Sequence, residues 1–139
     1  MPLGYLLHLA DEWWGGEGFV AWIERATGAT VSPTRFLILN GIVWPLACAL
    51  TIAAILRPKL SWFPLTFATV LLINAALHFL GTLYTATYSP GLVTALLFYL
   101  PFGIAALRRG LRTTVPGIYG WAVVSGFLVH GLVIVAAFA

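Results

Sequence analysis

The chain has 139 residues, of which 61% are hydrophobic and 8% are charged, whereas a typical soluble domain is about 45–50% apolar and about 25% charged. So little polar surface excludes a water-soluble enzyme and a nucleic-acid-binding module, and it indicates an integral membrane protein. The net charge of +3 comes from short basic clusters between hydrophobic runs. Such clusters are typical of membrane topology and do not indicate a polyanionic partner.

The N-terminal 34 residues contain all four acidic residues of the chain. Residues 1–14 predict a short membrane helix, because they are mostly apolar but extend only about 21 Å as a helix, less than a hydrocarbon core of about 30 Å. Residues 15–34 predict an interfacial segment, with an amphipathic helix over residues 15–25 and then a connecting loop. The tryptophans in this part are typical of the headgroup interface.

Four later hydrophobic runs reach the length of about 20 residues that a transmembrane helix needs. They cover residues 35–57, 63–86, 90–108 and 115–138. Because the linkers are short, we expect antiparallel neighbours in an all-α membrane bundle that forms one domain over residues 1–139. Pro45 and Pro101 lie inside predicted helices and each removes a backbone donor, so we expect local distortion at both.

Basic residues in the short loops predict the orientation of the bundle. Five of the seven Lys and Arg residues lie in the loops 57–62 and 108–114, while the intervening loop and the C-terminus contain none. Cytoplasmic loops are enriched in Lys and Arg. We therefore expect these two loops in the cytoplasm and the C-terminus outside.

Three histidines lie at similar predicted depths below the outer end of the bundle. His78 and His130 each lie eight residues before the end of their predicted helix, about 12 Å below it, and His8 is six residues before Trp14, about 9 Å below that end. Ionisable groups in a bilayer usually face the protein interior and mark functional sites. The sequence therefore predicts one polar layer in the outer half of the bundle.

Other polar side chains fall beside these histidines. Asp11 and Glu12 follow His8 by three and four residues, a spacing that places all three on one edge of a helix. Asn74 precedes the second histidine by four residues and shares its face, while Asn40 enters the membrane from the same side. We expect these groups to line one pocket.

Imidazole and carboxylate groups are the ligands that zinc and non-haem iron bind, with an open position for water or substrate. The sequence thus predicts a membrane-embedded enzyme that uses a divalent metal, zinc or iron, on a lipophilic substrate. The predicted metal ligands are His8, Glu12, His78 and His130. The predicted catalytic side chains are Asp11, Glu12 and Asn74.

Two other interpretations remain open at this point. In the first, a metal-free enzyme uses Asp11 or Glu12 as a proton donor to an isoprenoid-like lipid, as an isomerase, cyclase or epoxide hydrolase would. In the second, the polar layer belongs to a non-catalytic binding, transport or scaffold protein. The partners expected are membrane lipids, a lipophilic small molecule and a second copy of the chain in a homo-oligomer, and no nucleic acid.

Three short motifs also resemble those of a known family. They are His-Leu-Ala-Asp-Glu over residues 8–12, Asn-Ala-Ala-Leu-His over 74–78 and Tyr-Ser-Pro-Gly-Leu-Val-Thr over 88–94, with Pro101 following. Together they resemble the HXXEE-domain family of small bacterial integral membrane proteins, over roughly residues 5 to 107. Asp11 stands where the motif has its first Glu. The resemblance implies a bacterial cytoplasmic membrane and a shared group of polar residues at these motifs, and it implies no particular reaction.

Overall fold

The computed structural model describes residues 2–60 and 62–139, and all regular secondary structure in this part of the chain is helical. Four of its helices are long and apolar enough to cross a membrane, which confirms the predicted all-α membrane bundle. A 3₁₀ turn over Pro58–Leu60 links two of them. The helices are α1 (Pro2–Trp14), α2 (Phe19–Thr27), α3 (Pro33–Leu56), α4 (Phe63–Thr85), α5 (Leu92–Thr113) and α6 (Pro116–Phe138).

The long helices begin where the sequence supplies capping residues and prolines. The Ser32 hydroxyl accepts a hydrogen bond from the Arg35 backbone N–H at the start of α3, and Pro33 is the first residue of that helix. Proline also occupies the first turn of α4 and of α6. A first-turn proline costs no hydrogen bond, because the N–H groups there have no partner within the helix.

Helix α5 is longer than the sequence predicts, since it continues through the basic cluster to Thr113 instead of ending at Arg108. Arginine and leucine are good helix formers, and Arg108 and Arg109 are exposed, so their charges do not require the helix to stop. Gly110 stays buried against Leu65 of α4. Continued packing on α4 therefore carries the helix past the predicted boundary.

The two internal prolines have different effects. Before Pro101 the helix widens into a π turn over Ala95–Tyr99, in which the Leu100 N–H donates to the carbonyl of Ala95, five residues back. A proline lacks the donor and crowds the preceding turn, and the wider turn accommodates it. Helix α3, in contrast, runs unbroken through Pro45.

The most buried of the long helices is α4, and it forms the centre of the bundle. It packs extensively against α6, whereas α5 and α6 touch little although they are neighbours in the chain. Gly126 of α6 lies directly against Thr69, and the Thr66 hydroxyl donates to the Ala122 carbonyl at 3.0 Å. These two contacts show that α4 and α6 run in the same direction, with Gly126 level with Thr69.

The N-terminal helices cover one end of this bundle. The start of α1 reaches inward, where the Trp44 indole of α3 donates to the Pro2 carbonyl at 3.0 Å. Helix α2 begins at Phe19 rather than at residue 15 as predicted, because Gly16 and Gly18 adopt positive φ angles in a turn that separates it from α1. The buried Trp22 then packs on Gly81 of α4.

Candidate metal centre

Three buried side chains bring one potential ligand atom each to the same point. The Oε1 atom of Glu12 lies 3.4 Å from Nε2 of His8 and 3.3 Å from Nε2 of His78, and all three atoms are within 4.8 Å of one another. His8 and Glu12 share one face of α1, as their spacing of four residues predicts, and His78 comes from α4. None of the three side chains is more than a tenth exposed.

Two separations, from Oε1 of Glu12 to Nε2 of His8 and to Nε2 of His78, match those between neighbouring ligand atoms of a tetrahedral metal ion. Metal–ligand bonds of about 2.1 Å in tetrahedral geometry place neighbouring ligand atoms about 3.4 Å apart. Octahedral geometry with the same bond lengths would bring them to about 3.0 Å. Two imidazoles and one carboxylate are also a ligand set found in catalytic zinc sites that leave a fourth position for water. The spacing therefore favours a four-coordinate ion such as zinc.

A chain of hydrogen bonds fixes which nitrogen of His8 carries the proton. The Thr94 hydroxyl is 2.8 Å from Oδ2 of Asp11 and 3.0 Å from Nδ1 of His8. An ionised carboxylate only accepts hydrogen bonds, so Thr94 gives its single proton to Asp11 and accepts one from His8 Nδ1–H. The lone pair of neutral His8 is therefore on Nε2.

This assignment leaves two acceptors facing each other in a buried place. The Nε2 lone pair of His8 points toward the Glu12 carboxylate, and this nitrogen has no hydrogen-bond partner among the residues that the structure describes. Two such acceptors at 3.4 Å repel each other unless a cation lies between them. Either a metal ion or an additional proton on His8 meets that requirement.

The second histidine is oriented in a similar way. Nδ1 of His78 is 2.9 Å from the hydroxyl of Ser89, which is fully buried. The Ser89 backbone N–H in turn donates to the hydroxyl of Thr82 at 3.0 Å. Such a bond to the second ring nitrogen of a histidine is typical of metal sites, where it holds the ring and sets the coordinating atom.

Gly91 closes the site from above and leaves no room for a side chain. Its φ angle is 98°, a left-handed conformation that favours glycine. A Cβ atom placed there would lie 2.8 Å from a ring carbon of His78 and 2.9 Å from both Glu12 Cγ and a ring carbon of His8. The Ser-Pro-Gly turn before α5 therefore lets the backbone itself cover the three ligands.

Asp11 is not part of the three-ligand cluster. Residues 11 and 12 point about 100° apart around a helix, so the Asp11 carboxylate meets α5 instead, where it accepts hydrogen bonds from the hydroxyl of Tyr88 at 2.6 Å and from the Thr94 backbone. Partial burial disfavours its charge, yet these bonds outweigh that effect and lower the Asp11 pKa below its ordinary value. Burial and the bond to Asp11 raise the pKa of Tyr88 to about 12.

The cluster opens into a cavity of about 630 Å³ that is lined by residues of all six helices. Asn74 and His130 line this cavity, and both Asn74 Oδ1 and His130 Nε2 are buried without a hydrogen-bond partner in the described part of the chain. Since Gly126 is level with Thr69, His130 is level with Asn74, about one turn below His78. His130 is therefore on the wall of the same cavity and outside the group of three.

Two tyrosines beside the cluster were not predicted from the sequence as site residues. Tyr5 donates to Oδ1 of Asn40 on the cavity wall, and it shares the face of His8, a signal present in the spacing of three residues. The Tyr99 ring lies 4.3 Å from the His8 ring, centroid to centroid. It is turned inward by the π turn before Pro101, which hydrophobic periodicity does not reveal.

Helix α2 covers the outer opening of the cavity. The ring of Phe19 lies 5.5 Å from that of His78, and Trp22 donates from Nε1 to the hydroxyl of Thr87 at 3.3 Å. Outside the cavity, Arg25 pairs with the exposed Glu17 carboxylate, and hydrogen bonding to Arg25 lowers the pKa of Glu17. A short helix tied down at its polar face thus shields the candidate metal site.

Comparison with known proteins gives a family and no biochemical activity. No curated protein and no solved structure matches the sequence significantly. The family model described as a protein of unknown function with HXXEE motif matches residues 1–106, about three quarters of the chain, and the match includes the three clustered ligands, Ser89, Gly91 and Thr94. The chain belongs to the HXXEE family.

Proposed function

We propose that the protein is a membrane-embedded, zinc-dependent hydrolase that acts on a lipophilic substrate. His8, Glu12 and His78 would hold the ion, and a water molecule would take the fourth position, on the side that faces the cavity. The observation that carries the proposal is the pair of facing acceptors, His8 Nε2 and Glu12 Oε1, at 3.4 Å, with His78 Nε2 at 3.3 Å from the same oxygen. This arrangement calls for a cation, and its dimensions suit a tetrahedral one.

The chemistry follows from the site and its surroundings. Zinc lowers the pKa of a bound water to about 7, which supplies a nucleophile at neutral pH for attack on an ester or epoxide carbon. The cavity wall is mostly apolar, so it favours lipophilic molecules and strengthens electrostatic interactions at the reacting atoms.

Asn74 and His130 are candidates for contacts with the substrate. Both line the cavity and have a buried polar atom with no hydrogen-bond partner within residues 2–60 and 62–139, and an unpaired buried polar atom is costly. In our proposal the Asn74 amide binds a substrate oxygen. His130 would take up the proton that the attacking water loses and pass it to the oxygen that leaves when the carbon–oxygen bond breaks.

The charge distribution that predicts the topology supports a proposed site in the outer half of the bacterial cytoplasmic membrane. The basic ends of α3 and α5 would face the cytoplasm, and the C-terminus would lie outside. His8, Glu12 and His78 lie toward the opposite end of the bundle from these basic residues, so the substrate would react near the outer leaflet.

The first experiment is elemental analysis of untagged protein purified in detergent, with each histidine replaced by alanine in turn. We expect about one zinc per chain in the wild type and its loss in His8→Ala and in His78→Ala. His130→Ala is the matched control, since it removes a buried histidine from the same cavity and should keep the ion. A folded wild type that takes up no metal, even when supplied with zinc, would rule the proposal out.

A metal-free acid/base enzyme is the second candidate, because a proton on His8 also satisfies the contact with Glu12. In that case His8 and Glu12 form a buried ion pair, and the Glu12 carboxylate exchanges the proton with an alkene or epoxide. Hydrolysis or isomerisation that persists in metal-free protein and disappears in Glu12→Gln would favour this candidate over the zinc enzyme.

A further inference from the structure

The cavity extends well beyond the metal site. On α4 its wall runs from His78 to Phe63, which corresponds to about 22 Å along the helix axis. On α3 the cavity is lined by one helix face from Asn40 to Leu50, which is about 15 Å long. The cavity is therefore much longer than a site for a small polar molecule requires.

Polar groups are confined to one end of this cavity. Beyond Asn40 on α3 and Asn74 on α4, Thr66 is the one polar residue among the described residues that line it, and the Thr66 hydroxyl is already bonded to the Ala122 carbonyl. The remaining wall there is aliphatic or aromatic. The residues are Val43, Leu46, Ala47, Leu50, Phe63, Phe67, Val70 and Leu71.

The volume suits a single hydrocarbon chain. If each methylene needs about the volume of one water molecule, roughly 30 Å³, the 630 Å³ cavity has room for about 20 such groups, and a lipid with two long chains would not fit. The cavity also reaches the lateral surface of the bundle, because its lining residues Leu46, Leu77 and Leu80 are about half exposed.

The charge of the cavity wall restricts which lipid headgroups can bind. Within residues 2–60 and 62–139, no Lys or Arg side chain lines the cavity, and Glu12 is its only carboxylate. A phosphate group would need basic partners of the kind that arginine and lysine provide. An uncharged oxygen function needs only the ion and an amide such as that of Asn74.

We infer that the cavity binds an uncharged lipid with one long chain and an oxygen function at its end, such as a fatty or prenyl ester or epoxide, or the alcohol that its hydrolysis releases. The oxygen lies at the metal site and the chain extends toward Leu50 and Phe63. This inference names the substrate class of the proposed hydrolase and rests on that proposal. It predicts that the end of the cavity far from the ion determines which chain lengths bind.

The test is native mass spectrometry of the full-length protein in detergent with hexadecanol, decanol or lysophosphatidylcholine as the added lipid. The wild type should bind hexadecanol in preference to decanol and should bind lysophosphatidylcholine weakly. Leu50→Trp fills the far end by roughly two methylene volumes and should weaken hexadecanol binding about tenfold, as losing burial of two methylenes implies. Ile52→Trp, two residues away on the exposed face of α3, is the control and should bind like the wild type.

The outcomes separate this inference from the proposed chemistry. Equal binding of lysophosphatidylcholine, or equal hexadecanol binding by Leu50→Trp and Ile52→Trp, would overturn the inference even if zinc is present. Should Leu50→Trp fail to fold, Val70→Phe blocks the same region from α4. His78→Ala should lose zinc and keep its preference for hexadecanol, and a wild type that lacks metal but shows this preference would refute the hydrolase alone.

Discussion

At the scale of single residues, the candidate site depends on residues outside the group of three. Thr94 and Ser89 each bond the Nδ1 atom of a ligand histidine, and Gly91 supplies backbone where a side chain would displace all three ligands. Sequence spacing predicted His8 and Glu12 well, because residues four apart share a helix face. It also placed Asp11, as a catalytic residue, on that same edge, whereas the Asp11 carboxylate accepts hydrogen bonds from Tyr88 and Thr94 instead.

Gly91→Ala should abolish zinc binding, because the added methyl group would overlap both ligand histidines and Glu12. The matched control is Gly28→Ala. Gly28 also has a positive φ angle, 73°, but has open space around its Cβ position, so the substitution adds backbone strain of about 1–2 kcal/mol and leaves the site intact. Elemental analysis checks both variants, and zinc retained in Gly91→Ala would contradict the placement of the ion.

Ser89→Ala should keep the fold and weaken zinc binding roughly 10–100-fold, as the loss of a hydrogen bond to a ligand histidine typically does. The His78 ring would lose the partner that orients it. Competition with a chelator of known affinity measures the change. Ser125→Ala on α6, outside the cavity lining, is the control, and an equal loss in both variants would point to a general effect on the bundle.

At the scale of helices, hydrophobic runs predicted the membrane spans closely. The predicted end of α5 and the predicted start of α2 were wrong. Arg108 looked like a helix end, although an exposed arginine at a membrane boundary is compatible with a continuing helix. The late start of α2 follows from the positive φ angles of Gly16 and Gly18. Packing of Gly110 on α4, which a single sequence does not display, carried α5 past Arg108.

Trp22→Ala should release α2 from the mouth of the cavity. The indole is 4% exposed, and truncating such a residue typically costs about 3–5 kcal/mol, more than the exposed Arg25–Glu17 pair of α2 is worth. Hydrogen exchange should accelerate over residues 19–27 and stay unchanged in α4. Trp14→Ala, at a side chain that is 78% exposed, should leave exchange in α2 slow, and slow exchange in Trp22→Ala as well would show that other contacts hold the helix.

At the scale of the whole molecule, depth counted from the helix ends correctly predicted that the histidines face one cavity. The predicted depth of His130 relative to His78 was wrong by about one helical turn. It placed His78 and His130 in one layer, but α4 rises higher than α6, because their register is set by Gly126 on Thr69. Helix ends indicate where the chain leaves the bilayer. They do not indicate the axial offset between two packed helices. The shared cavity was therefore predictable, whereas the position of His130 outside the group of three was not.

The orientation of the bundle can be tested with the single cysteine of the chain, Cys48, replaced by serine. In that background, Lys59→Cys marks the basic end and Ala139→Cys marks the end of α6, and both positions are exposed. Because positive loops stay in the cytoplasm, a membrane-impermeant maleimide should label Ala139→Cys in intact spheroplasts and Lys59→Cys only after permeabilisation. The reverse pattern would place the metal site in the inner half of the membrane, where a lipid made in the cytoplasm reaches it without crossing the bilayer.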